Sequence, residues 1–230
     1  MYDDSCGDFS PAERDAVYKA IFSRRDVRRE FLSTNLDDAV LMRLLAAAHA
    51  APSVGFMQPW SFIVIRDPSV KTAVQTLFRE ANDEAAAMFE PERRPFYSRL
   101  KLEGICTAPL NLCITCDRDR AGPVVLGRTH MRDMDIFSTV CAVQNLWLAA
   151  RAEEVGVGWV SIFHEAKLKQ LLGIPERIVI VAYLCLGYVS HFAESPDLER
   201  AGWRQRLSLS SLIHRERWVE AIEDQPNAVE

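Results

Sequence analysis

Arg24-Arg25-Asp26-Val27-Arg28 places three guanidiniums and one carboxylate in five consecutive residues. Arginine presents planar, permanently charged donors that match phosphate geometry. Where the backbone turns, three at this spacing can converge on one dianion. At the end of a straight helix they are a solvated charge run. The flanking residues locate the cluster. Upstream, Ser10-Pro11-Ala12-Glu13 is a capping box with proline at the first helical position. The helix it opens runs to about Ser23, with Val17, Ala20 and Ile21 on one face, so the arginines fall at or just past its end. Downstream, Asp37 and Asp38 suit the first turn of a second helix. Val40, Leu41, Leu44, Leu45 and Ala48 give that helix an apolar stripe. It must stop before Pro52, because a residue preceding proline disfavours the α region.

Further out, Ala51-Pro52-Ser53-Val54-Gly55-Phe56-Met57-Gln58-Pro59-Trp60 is a loop stiffened by two prolines and freed locally by Gly55. Ser53, Gln58 and its amides can hydrogen-bond a polar heterocycle; an ordinary helix-to-strand connection has the same composition. A strand over 61–65 and a helix from Pro68 to about Phe89 follow. Residues 90–101, charged and broken by Pro91 and Pro95, read as an exposed excursion or lid with Met88, Phe96 and Tyr97 as apolar matter. Leu110 to Cys116 is a strand and 117–132 a polar loop. The longest helix is expected from Asp135 to about Val155, apolar on most sides and so central or at a subunit interface. Gly156 to Phe163 is expected as loop and strand. Its glycines lack the GxGxxG spacing and open no helix, which excludes a Rossmann fingerprint. A short helix over 165–172 stops at Leu172-Gly173-Ile174-Pro175, and Ile178 to Leu186 is a buried strand. Trp203-Arg204-Gln205-Arg206 is a second basic pair, and Leu209 to Trp218 a docked C-terminal segment.

With 49% apolar residues in 230, the chain can bury a sizeable core. A net charge of −5 argues against a general nucleic-acid binder. Met1 to Asp8 is acidic without an apolar stretch, so no signal peptide is expected. The longest apolar run, Ile178 to Val189, is too short to span a bilayer. A cytoplasmic protein with reduced cysteines and no membrane partner is the expectation. Cys113-Ile-Thr-Cys116 lies in a strand, where residues three apart face opposite ways, so it is expected as core and not as a metal pair. The five histidines show no HExxH spacing, and no metal is expected. Without repeats, linkers or strict βαβ alternation, the chain reads as one α+β domain over 1–230, with 1–9 disordered and 207–230 a C-terminal extension.

RRDVR after the first helix, APSxxxxQPW entering the first strand, GxGxxS, and LGIP before a strand ending in Gly187-Tyr188 resemble, in that order, the FMN-dependent nitroreductase superfamily. The resemblance runs from about Val17 to Leu209. It implies a central mixed β-sheet flanked by helices, a homodimer, and FMN held by Arg24, Arg25, Asp26, Val27, Arg28, Ser53, Gly55, Ser161 and Arg206. Two positions depart from the common pattern: Asp26 stands where a small hydroxyl residue is usual, and Phe56 where asparagine is usual. Both, with the longer strings STVCAVQNLWLAARAE and GVGWVSIFHE, resemble the branch that fragments reduced FMN with dioxygen instead of recycling it. That resemblance implies Asp26 and Ser161 as catalytic residues and reduced FMN from a separate flavin reductase. Asp26 paired with Arg25 or Arg28 is the plainer reading of the carboxylate, and a silent core residue the plainer reading of Ser161. An NAD(P)H-dependent nitroreductase or flavin reductase, and a non-catalytic flavin-binding protein, are the alternatives.

Overall fold

The computed structural model describes residues 7–219. The chain falls into two compact units, Met1–Glu194 and Ser195–Glu230. In the first, α1 (Pro11–Ser23) opens on the expected capping box: the Ser10 hydroxyl accepts from the Glu13 amide at 3.3 Å, and the Glu13 carboxylate from the Ser10 amide at 2.8 Å. α2 (Asp38–His49) is capped by Asp37, stops before Pro52, and buries Val40, Leu41, Leu44 and Ala48. There follow β1 (Trp60–Ile65), α3 (Pro68–Ala87), α4 (Arg94–Tyr97), β2 (Leu110–Asp117), α5 (Met134–Ala152), β3 (Val155–Val160), α6 (Glu165–Leu172) and β4 (Ile178–Tyr188).

The strands form one sheet in the order β1-β2-β4-β3, and every neighbouring pair is antiparallel. The expected mixed sheet is thus corrected: among the described residues its parallel element is a single bridge, Asp26 to Val157. Apolar pattern marks which residues face each side but carries no strand direction, so it could not make this distinction. On one face, Leu110, Leu112, Ile114, Leu184 and Leu186 pack with α2 and α5. On the other, Cys113, Tyr183 and Cys185 pack with α3 and α6. Helices on both faces explain why β2 and β4 read as nearly continuous apolar runs. They also separate the Cys113–Cys116 pair, whose second member is near Thr139 and Asp135 of α5. The five described cysteines are free, and burial pushes the Cys113 thiol up to about 12.

Three further expectations shift. α3, at 20 residues, exceeds α5 at 19. Gly156 and Gly158 lie inside β3, not in a loop before it. The 90–101 excursion is anchored: Tyr97 is buried, donates to Asn82 of α3 at 2.8 Å and packs on Phe89. In the second unit, α7 (Asp197–Arg200) precedes a 3-10 turn at Leu209–Leu212. Where a docked segment was expected, Leu209, Leu212, Ile213 and Trp218 are exposed. Residues 7–9 are exposed coil, and the rest of the expected disordered start, with 220–230 of the extension, lies outside the described residues. No helix among the described residues is long and apolar enough to cross a membrane.

Candidate active site

Past α1 the chain turns extended at Arg24 and lies along β3. The Val27 amide donates to the Val157 carbonyl at 3.0 Å. Two glycines of β3 make this approach possible. A Cβ on Gly158 would overlap the Val27 carbonyl oxygen, and one on Gly156 would overlap a Val189 methyl and crowd the Val27 side chain. Val27 itself is buried. Docking here carries Asp26 to the end of β3, where Oδ1 accepts the Trp159 amide at 3.0 Å and Oδ2 pairs with Arg28 Nη2. Burial pushes the Asp26 carboxyl above the usual aspartate value. The Arg28 charge, the Trp159 amide and the Arg24 charge oppose the shift without cancelling it.

The three arginines do not act alike. Arg28 also donates to the Lys101 carbonyl at 3.3 Å, and its Nε is buried without a partner among the described residues. The Arg24 guanidinium lies 4.8 Å over the Trp147 ring, a cation–π arrangement. Trp147 in turn donates to the Arg25 carbonyl at 3.2 Å. Arg25 departs from the expected convergence: it donates to the carbonyls of Phe22 (2.8 Å), Arg24 (2.7 Å) and Glu194, and so braces the end of α1. Main-chain carbonyls left over at a helix end are natural acceptors for it. Its Nε is likewise buried and unpartnered.

Ser161 lies one residue past β3, not within a strand, and is exposed. It borders a cavity of about 130 Å³ walled by Val160, Phe163, Leu168, Ile180 and Ala182, small beside ordinary ligand pockets of roughly 300–1,000 Å³. Ser53 and Gly55 form a separate group. Ser53 Oγ accepts the Gln58 amide at 3.1 Å, and the Val54 amide donates to Ser138 of α5 at 3.0 Å. Gly55 and Phe56 both have φ of 53°, and Gln58 has 47°. For non-glycine residues such angles cost about 1–3 kcal/mol each and persist only where surroundings impose them. Arg120 ties down the end of this loop, donating to the carbonyls of Gln58 (2.6 Å) and Trp60 (2.8 Å). Arg206 is exposed in the second unit.

The sequence reading missed what supports that loop. Asp135, marked only as a helix start, is fully buried and pairs with Arg128 and, at 3.1 Å, with Arg118. Arg118 also holds Asp133 at 2.8 Å. The loop so pinned presses Val125 and Leu126 against Gly55. Four charges between 118 and 135 were the available signal, but nothing local distinguished them from solvated ones. Asp135→Ala leaves the buried Arg128 uncompensated. It should cost about 3–5 kcal/mol and lower the thermal midpoint by roughly 10 °C, read by calorimetry.

This fold, with a basic segment closing onto a sheet edge, is that of the nitroreductases. The nitroreductase family model matches residues 21–188, and the chain belongs to that family. Among its relatives, the 5,6-dimethylbenzimidazole synthase of Rhodospirillum rubrum is 40% identical over 198 residues, covering 86% of this chain and 93% of that protein. The Rhodobacter capsulatus enzyme of the same name is 39% identical over 199 residues, covering 86% and 96%. Iodotyrosine deiodinase bound to FMN and 3-iodo-L-tyrosine shares the fold at a TM-score of 0.69 and 18% identity, covering 88% of this chain and all of that one.

Proposed function

We propose that the chain is an oxygen-dependent 5,6-dimethylbenzimidazole synthase, which fragments reduced FMN to 5,6-dimethylbenzimidazole, the lower ligand of cobalamin, and D-erythrose 4-phosphate. The observation that carries the reading is Asp26: a half-buried carboxylate with a raised proton affinity, set among arginines where an anion would bind. A carboxyl shifted in that direction is the kind of group that holds or moves a proton in catalysis. Relatives at 39–40% identity over nearly their whole length bear this activity in their names, which supports it.

The residues fit FMN. Two buried guanidinium nitrogens without partners among the described residues, Arg25 Nε and Arg28 Nε, are donors of the type an anionic group satisfies. Arg24 and Arg28 would hold the phosphate and ribityl chain; Val27 seats their segment. Arg25 keeps the helix end in place. Ser53, with the backbone at Gly55, would line the ring. Reduced FMN, when bound, supplies the electrons for dioxygen and the carbon skeleton of both products. Asp26 would move a proton beside the ribityl chain, and the Ser161 hydroxyl would donate to the ring edge. Phe56 in place of a polar residue removes a flavin contact and weighs against an ordinary nitroreductase. The chain would act as a homodimer in the cytoplasm, supplied with reduced FMN by a separate flavin reductase. The exposed Val17, Tyr18 and Phe22 of α1 and Phe137 of α5 leave apolar surface for a second copy.

The test is incubation with chemically reduced FMN in air, with products resolved by chromatography and mass spectrometry. 5,6-Dimethylbenzimidazole should appear in proportion to enzyme and not with FMN kept oxidised. FMN returned intact would leave a recycling nitroreductase or a silent flavin binder. Ser161→Ala should lower product formation by about 10²-fold, the effect of losing one positioned donor, with FMN affinity nearly unchanged by fluorescence quenching.

A further inference from the structure

Among the described residues Arg28 has two side-chain hydrogen-bond partners, and the second belongs to the root of the 90–101 segment. That root is closely built. Glu103 is buried at 7% exposure. Its carboxylate accepts from the Ile105 amide and from Lys101 Nζ, both at 2.6 Å, and from Gln75 of α3 at 3.4 Å. The next residue has no Cβ for a reason: one on Gly104 would stand 2.7 Å from the Phe31 ring and 3.3 Å from the Arg28 carbonyl. Residues 101–105 are therefore laid directly on residues 28–31. Glu103 fixes Lys101 from both sides, by its ammonium and by the chain running to Ile105. The Lys101 carbonyl then takes one arm of Arg28, and the other arm holds Asp26.

We propose that Glu103 is a positioning residue for Asp26, acting through Lys101 and Arg28, so that the root of the 90–101 segment sets the carboxylate's partner. The inference rests on the proposed role of Asp26. The charged and titratable groups acting on Asp26 are Arg28 and Arg24 from its own segment and the Cys185 thiol from β4. Glu103 and Lys71 act on Cys185 in turn, and Lys101 is bound to Glu103. Loosening Arg28 removes the largest charge opposing the burial of Asp26, so its proton affinity must rise further.

The experiment compares wild type, Glu103→Gln and Glu103→Ala as full-length proteins. The Asp26 carboxyl is titrated by ¹³C NMR of aspartate-labelled protein, with its signal assigned by Asp26→Asn. Glu103→Ala should move its midpoint upward by about one pH unit, a tenfold change in proton affinity. Glu103→Gln keeps hydrogen-bonding capacity and should move it less. The pH profile of benzimidazole formation should shift in the same direction, with FMN affinity within about threefold of wild type. An unmoved Asp26 midpoint in a folded Glu103→Ala protein overturns the inference, even if activity drops. Because the titration needs no turnover, a shifted midpoint without any benzimidazole from wild type would instead reject the assigned reaction.

Discussion

Asp26→Asn loses benzimidazole formation by about 10²–10⁴-fold, the range set by a positioned acid or base, while FMN still binds. Asparagine keeps the shape of the side chain and an oxygen for the Trp159 amide, so the segment along β3 stays docked. What it loses is the proton site. Arg28 loses its charge partner and becomes freer to meet a phosphate, so oxidised-FMN affinity, followed by fluorescence quenching, should hold or tighten slightly. Product formation at the wild-type rate would remove Asp26 from the chemistry. The raised proton affinity of Asp26 also carries a stability sign. The folded state binds this proton more tightly than the unfolded chain does. Its contribution is therefore fully present below the ordinary aspartate range and is lost as pH rises through the raised folded value.

Much of this arrangement is legible in the sequence, and particular residues show where legibility ends. The capping box at Ser10, the proline limit at Pro52 and the stop at Gly173 placed helix ends, because each acts through neighbours within four residues. The same locality located the arginine cluster just past α1. What the cluster does depended on contacts remote in sequence. Arg25 looked equivalent to Arg24 and Arg28, yet the Glu194 carbonyl, far along the chain, helps turn it to the helix end. Asp135 was marked only as a helix start and is the buried centre of a charge network. The glycines of β3 were weighed as a nucleotide fingerprint and rejected correctly, but their real task needs the Val27 backbone beside them. The mixed sheet came from the family resemblance, and apolar pattern, which leaves strand direction open, could not correct it.

Those glycines give the sharpest structural prediction. Gly158→Ala forces a methyl group into the Val27 carbonyl oxygen. The obstruction is main chain, so no rotamer relieves it and the Asp26–Val157 bridge must open. Overpacking of this kind costs about 1–3 kcal/mol, which in a chain this long lowers the thermal midpoint by roughly 2–12 °C. The functional loss should exceed the stability loss, because Asp26 leaves the Trp159 amide when the segment lifts. Misplacement by about 1 Å costs on the order of 10²-fold in rate. Gly156→Ala differs in kind, since its new methyl meets mainly the Val189 side chain. Trimming that side chain with Val189→Ala should recover much of the loss for Gly156→Ala, whereas Val27→Ala should recover nothing for Gly158→Ala. Gly7→Ala, with nothing within 4 Å of the added carbon, serves as the silent control. If Gly158→Ala matches wild type in both midpoint and product, residues 26–27 do not depend on the missing Cβ to reach β3.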